Sequence, residues 1–167
     1  MQAPYAADIS KLVNSLKPRS ILVIDPKVEG LFAAYSNEYP ECRIDYLAAK
    51  DITTEPRELG RYDLGFVANV LEHMDKGDAG QLIARLRDVH TKCLFVVLPM
   101  GPKHEGLTST WEMADLIGYG MRLATTYERG DKRLQMYGFD IADYKDTPDW
   151  LSARYWANPE RWDKERW

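Results

Sequence analysis

Apolar residues recur along this chain in two rhythms. Ile9, Leu12, Val13 and Leu16 fall at i, i+3, i+4 and i+7, which predicts a helix over residues 8–16 with Asp8 as its N-cap. Residues 21–24 form a continuous apolar run rich in β-branched residues, consistent with a strand buried on both faces. Val28, Leu31, Phe32 and Tyr35 return to helical spacing and predict a helix over residues 27–38, ended before Pro40. Ile44 and Tyr46 alternate with charged neighbours in a short strand, residues 43–47. Residues 51–60 read as a loop with one helical turn at most.

The second half repeats the alternation. Residues 64–68 are a buried strand. Asp78 and Gln81 form a capping-box pattern that opens a helix burying Leu82, Ile83, Leu86 and Val89 and reaching His90. Residues 94–98 are the most apolar strand of the chain. Ser109 and Glu112 form a second capping box, for a short helix that should bury Met113, Leu116 and Ile117. Residues 121–127 and 133–141 read as a hairpin around Arg129-Gly130-Asp131. Strands alternating with helices and closed by an antiparallel hairpin predict an α/β sandwich with a parallel centre.

The segment Tyr62-Asp63-Leu64-Gly65-Phe66-Val67-Ala68-Asn69-Val70-Leu71-Glu72-His73, with the helix and strand that follow it to Gly101, resembles class I S-adenosylmethionine-dependent methyltransferases between their fourth and fifth strands. The final hairpin, preceded by Ile117-Gly118-Tyr119-Gly120, is also how that family ends. The resemblance implies a Rossmann-like methyltransferase sandwich, with a reduced, mostly parallel sheet that ends in the hairpin. It covers about residues 10–141. The expected organisation is a methyltransferase-like domain over residues 1–145 and a tail over residues 146–167.

The resemblance also implies where a cofactor would lie. In the family a glycine-rich loop after the first strand lies close to S-adenosylmethionine, and glycine suits it because a Cβ would collide. This chain has no G-x-G-x-G anywhere. It can be laid on the family in two registers. In one, residues 21–24 are the first strand, and Asp25-Pro26-Lys27-Val28-Glu29-Gly30 replaces the glycine loop. In the other they are the second strand. Asp25 is then its acidic end and holds the ribose, and Asp51 falls beside the adenine. The short stretch from Asp25 to Asp63 favours the second register, with the first strand missing.

Asp25, Asp51 and Asn69 are thus the candidate cofactor residues. His73 is the candidate general base, since an imidazole titrates near neutrality. Each has a plainer reading. Asp25 opens an Asp-Pro turn, Asp51 and Asp45 suit solvated loop positions, and Leu-Glu-His serves largely structural roles in the family. His104 lies in a Gly- and Pro-rich loop that would overhang the acceptor side. No Cys/His cluster suggests a metal site.

Composition removes some function classes. A net charge of −4 lacks the basic surface that a nucleic-acid backbone demands. The longest apolar run is too short to span a bilayer, and no signal-peptide pattern opens the chain, so the expected location is the cytoplasm. The tail adds a different kind of candidate. Trp150, Trp156, Trp162 and Trp167 crowd into the last residues among Arg154, Arg161, Lys164 and Arg166. Trp and Arg dominate binding hot spots, so a protein partner is expected there, with a homodimer as a second option. Loss of the glycine loop with retention of the strands favours a non-catalytic methyltransferase-like scaffold or binding protein. The alternative is a methyltransferase with an altered cofactor loop, taking S-adenosylmethionine and an acceptor that the sequence does not specify.

Overall fold

The computed structural model describes residues 3–24, 30–53, 59–102, 105–130 and 132–144. Asp25, His104 and the Trp-rich segment 146–167 with Trp150, Trp156, Trp162 and Trp167 lie outside the described residues. The elements run in the order α1 (Ala6–Leu16), β1 (Ser20–Ile24), α2 (Ala33–Glu38), β2 (Arg43–Tyr46), α3 (Ala49–Thr53), β3 (Tyr62–Ala68), α4 (Lys76–Arg85), β4 (Thr91–Met100), α5 (Met113–Gly118), β5 (Arg122–Arg129), β6 (Lys132–Asp140) and α6 (Ile141–Tyr144).

One sheet carries the described strands in the order β2-β1-β3-β4-β6-β5. The first four are mutually parallel, with Val23 opposite both Tyr46 and Phe66, and Phe66 opposite Phe95. The hairpin then turns back, and β6 slots antiparallel between β4 and β5, with Val96 opposite Tyr137. This is the Rossmann-like methyltransferase sandwich with a hairpin end.

The apolar runs divide between two cores. Leu22, Ile24, Val67, Leu94, Val96 and Leu98 face Leu82, Ile83 and Trp111 on the α4 and α5 side. Ile21, Val23, Leu64, Phe66, Ala68 and Val97 face Tyr5, Ile9, Val13 and Tyr35 on the α1 and α2 side. Continuous apolar strands are what a sheet covered on both faces requires.

Several local expectations are corrected. Tyr5, not Asp8, precedes the first turn of α1. Asp8 lies inside that turn, where a carboxylate suits the helix dipole and accepts from the Tyr127 hydroxyl at 2.8 Å. The cap of α4 is Asp75, whose Oδ1 accepts from the Gly77 N–H at 2.8 Å, and not Asp78. The helix then widens into a π turn over Leu86–His90. The capping box of α5 pairs Glu112 with Asp115, so Ser109 does not open that helix. Its six residues bury only Leu116, while Met113 and Ile117 are 45% and 57% exposed. The place beneath it is filled by the fully buried Trp111.

The sheet order also decides between the two registers. A doubly wound sheet runs 3-2-1-4-5-6, and strand 1 sits centrally between 2 and 4. Residues 20–24 occupy that central place, paired on both sides and 0–1% exposed from Ile21 to Ile24. They are therefore the first strand, and β2 is the second. The strand without a counterpart among the described residues is the third, at the edge. Removing an edge strand costs one ladder, whereas removing the first would break the hydrogen-bond continuity of the sheet centre. Chain length alone does not distinguish these cases, so the register with the first strand missing is overturned.

Candidate functional site

Between β1 and β3 the order of connections reverses, and ligands in open parallel sheets bind beyond the strand ends at such a switch point. A cavity of about 480 Å³ opens there. Its walls come from Ile24 at the end of β1, from residues 46–49 after β2, and from Asn69, Val70, His73 and Met74 after β3. This size falls within the range of small-ligand sites.

Each wall has a local cause. Tyr46 is the last residue of β2, is 53% exposed and lines the cleft. Its place on an outer strand explains this exposure, which alternation in the sequence disguised. Ala48 precedes α3 and Ala49 begins it. Asn69 ends β3 in a left-handed conformation at φ 55°, which bends the chain into the short 3-10 turn Leu71–His73. Asn is among the few residues that tolerate this region. The bend brings His73 and Met74 back over the cavity.

The sequence candidates divide accordingly. Asn69 and His73 share one wall. The Asn69 Nδ2 donates to the Tyr5 hydroxyl oxygen at 3.2 Å. The His73 imidazole is nearly half exposed, with Nε2 4.0 Å from the Glu72 carboxylate. Asp51 does not line the cavity. Its Oδ2 accepts from the Ala48 N–H at 3.1 Å, and its own N–H donates to the Ala48 carbonyl at 3.0 Å, so it caps α3. Asp25 directly follows the lining residue Ile24 and lies outside the described residues. Asp45, the other acid near the adenine side in sequence, is engaged elsewhere. It accepts from the Tyr62 hydroxyl at 2.5 Å and pairs with Arg43 at 2.9 Å. Burial and this Asp45 contact push the Tyr62 phenol upward.

Sequence reasoning missed Tyr46 and Tyr5. Only the identity of β2 as an outer strand exposes the first. The second reaches the site from 64 residues away.

A second hollow, about 470 Å³, lies beyond β4 between Met100, Trp111, Met113, Glu128 and Arg133. Its floor is held by Ser109, whose hydroxyl donates to the Leu71 carbonyl and accepts from the Trp111 indole N–H, both at 3.0 Å. Lys76 sits over the Trp111 ring at 5.5 Å. The loop carrying Ser109 is also tied to the site turn, since Thr108 and Ser109 N–H groups donate to the Glu72 carbonyl at 2.9 and 3.1 Å. Among the described residues no group of three His, Cys, Asp or Glu could hold a metal ion, and no helix is long and apolar enough to cross a membrane.

Comparison with solved structures places this fold. The chain is similar to the methyltransferase domain of bacterial CtHen1, at 12% identity and a TM-score of 0.61, over 83% of this chain and 97% of that one. It is similar to human N-acetylserotonin methyltransferase in complex with SAM, at 13% identity and a TM-score of 0.54, over 81% of this chain and 51% of that one. The N-terminal domain of EvdMO1, in the presence of SAH and D-fucose, matches at 9% identity and a TM-score of 0.54, over 83% of each chain. At these identities the likeness establishes a methyltransferase-like fold. No curated protein matches the sequence. A model described as a family of unknown function, DUF6231, matches residues 3–167, and the chain belongs to that family.

Proposed function

We propose that this protein is a methyltransferase-like binding protein whose cleft takes the adenosyl half of S-adenosylmethionine or S-adenosylhomocysteine without carrying methyl transfer. The observation that carries this reading is the cavity at the switch point, walled by the exposed Tyr46, the turn after β2 and the Asn69–His73 turn. A planar base suits the Tyr46 face, because stacking on an aromatic ring needs only a π surface. Two of the similar structures are described as in complex with SAM and in the presence of SAH, which supports the choice of ligand. The non-catalytic part rests on the turn after β1. It reads Asp25-Pro26-Lys27-Val28-Glu29 where the resembling family places glycines against the methionyl end. In this reading the Trp-rich segment 146–167 supplies the contact with a protein partner.

A second reading, a methyltransferase with an altered loop, is favoured by His73 at the cavity wall, where an imidazole could take a proton from an acceptor.

Calorimetric titration with both ligands tests the proposal. The expected result is saturable micromolar binding, weakened roughly 5- to 100-fold in Tyr46→Ala, as for loss of one base–aromatic stack. Adding the protein to a cell extract should not raise S-adenosylhomocysteine formation above that of the extract alone. Absence of heat and of thermal stabilisation at millimolar ligand removes the reading, and protein-dependent formation of S-adenosylhomocysteine transfers support to the methyltransferase.

A further inference from the structure

The bond between Asn69 and Tyr5 joins the cleft to the opposite layer of the molecule. Asn69 and Lys17 are the two non-glycine residues at positive φ among the described residues. An L-residue in this region costs energy that its surroundings must supply. One support of Asn69 is the Tyr5 hydroxyl, 3.2 Å from Nδ2.

Tyr5 is itself held. It is 4% exposed, with its ring 5.7 Å from that of Phe66 on β3 and 6.4 Å from that of Tyr127 on β5. The helix it precedes is fastened one turn on, where Tyr127 donates to Asp8 at 2.8 Å. A run of packed and hydrogen-bonded groups therefore leads from β5 through α1 to the turn after β3. Nothing in it touches the cavity except Asn69.

We infer that Tyr5 is a positioning residue for the ligand cleft, holding Asn69 in the left-handed conformation that shapes the cavity wall. The inference rests on the adenosyl-binding reading. Its physical content is a population. If the turn leaves the competent conformation for part of the time, apparent affinity falls by the fraction of time that remains. Losing one part-buried hydrogen bond shifts such an equilibrium about three- to tenfold.

Wild type, Tyr5→Phe, Asn69→Gly and the double variant are titrated with S-adenosylhomocysteine, and their melting temperatures are measured in parallel. Tyr5→Phe keeps the ring and its packing, so it should melt within a few degrees of wild type while binding about three- to tenfold more weakly. Glycine adopts the left-handed region without strain. Adding Tyr5→Phe to Asn69→Gly should therefore change affinity no further, a result that a merely structural Tyr5 would not give. Wild-type affinity in Tyr5→Phe, or two losses that multiply in the double variant, overturns the inference while leaving the binding proposal intact. Absence of binding by wild type itself overturns the binding proposal, and this inference with it.

Discussion

Gly65 sits in the middle of β3, opposite Leu94 on β4 and beneath Thr91. A methyl group placed on it would come within 2.5 Å of the Thr91 Cγ2 and 3.1 Å of the Leu94 Cδ1. Thr91 cannot simply turn aside. It is fully buried, and its hydroxyl donates to the Leu86 carbonyl at 2.8 Å at the end of the π turn. Relief of the contact therefore requires either a backbone shift or loss of that bond. Overpacking costs about 1–3 kcal/mol, and a lost buried hydrogen bond about 1 kcal/mol more. Reduced freedom of the unfolded chain offsets roughly 0.4–1 kcal/mol. Gly65→Ala should thus destabilise by about 1–3 kcal/mol, or lower the melting temperature by roughly 2–12 °C for a domain of this size. Thr91→Ser supplies the control, because it keeps the hydroxyl and removes the obstructing methyl. On that background Gly65→Ala should be nearly neutral, so a urea-unfolding cycle should give a coupling of about 1–3 kcal/mol. Additive effects within about 0.5 kcal/mol would refute the proposed contact.

Two further outcomes follow from single side chains. Ser109→Ala removes both the donor to Leu71 and the acceptor for the buried Trp111 indole, so urea unfolding should show a loss of about 1–3 kcal/mol; a change below about 0.5 kcal/mol would mean the indole finds another acceptor. The Lys92 ammonium, 2.7 Å from Asp63, is the main cause holding that carboxyl below its usual 3.8, with the Arg19 and Ser20 contacts assisting. A depressed carboxyl stabilises the fold above its unfolded value and loses that contribution as pH falls through the folded value. The stability difference between wild type and Lys92→Met should therefore be full at neutral pH and shrink below about pH 4. A difference that grows in acid would reverse the sign and reject the assignment.

The fold was readable where burial on both faces leaves no polar position, as in residues 21–24, 64–68 and 94–98. The hairpin was readable because alternation and the Gly130 turn agree. What failed depends on contacts remote in sequence. Helical spacing places Met113 and Ile117 on one face with Leu116, but Trp111 already fills the space below, and a six-residue helix has no second turn to recover burial. Asp75 and Asp78 both suit a cap, and only the fold direction after His73 selects the first. Asn69 and His73 both line the cavity because they follow a strand that the sequence marks clearly. Asp51 does not line the cavity, and its carboxylate accepts instead from the Ala48 N–H just before α3. The choice of sheet neighbours was not legible at all, since both registers satisfy the same local pattern.

That choice bears on function. With residues 20–24 as the central strand, the cleft between β1 and β3 keeps its floor, and the shortened edge is β2, a four-residue strand carrying Arg43 and Asp45. Short, charged edges resist pairing with other chains, so the sheet can end there without becoming sticky. The cavity wall comes from the turn after β2, the strand at that edge, and from the turn after β3 at the switch point. The part that methyl transfer demands in the resembling family, the close approach at the methionyl end, depends instead on the turn after β1. Here the sequence after β1 continues Asp25-Pro26, and a proline has no N–H to donate. In the reading proposed above, affinity for the nucleoside half and competence for transfer would rest on different segments of the chain. A fold of this kind can lose the second through a handful of residues while every strand that supports the first stays in place.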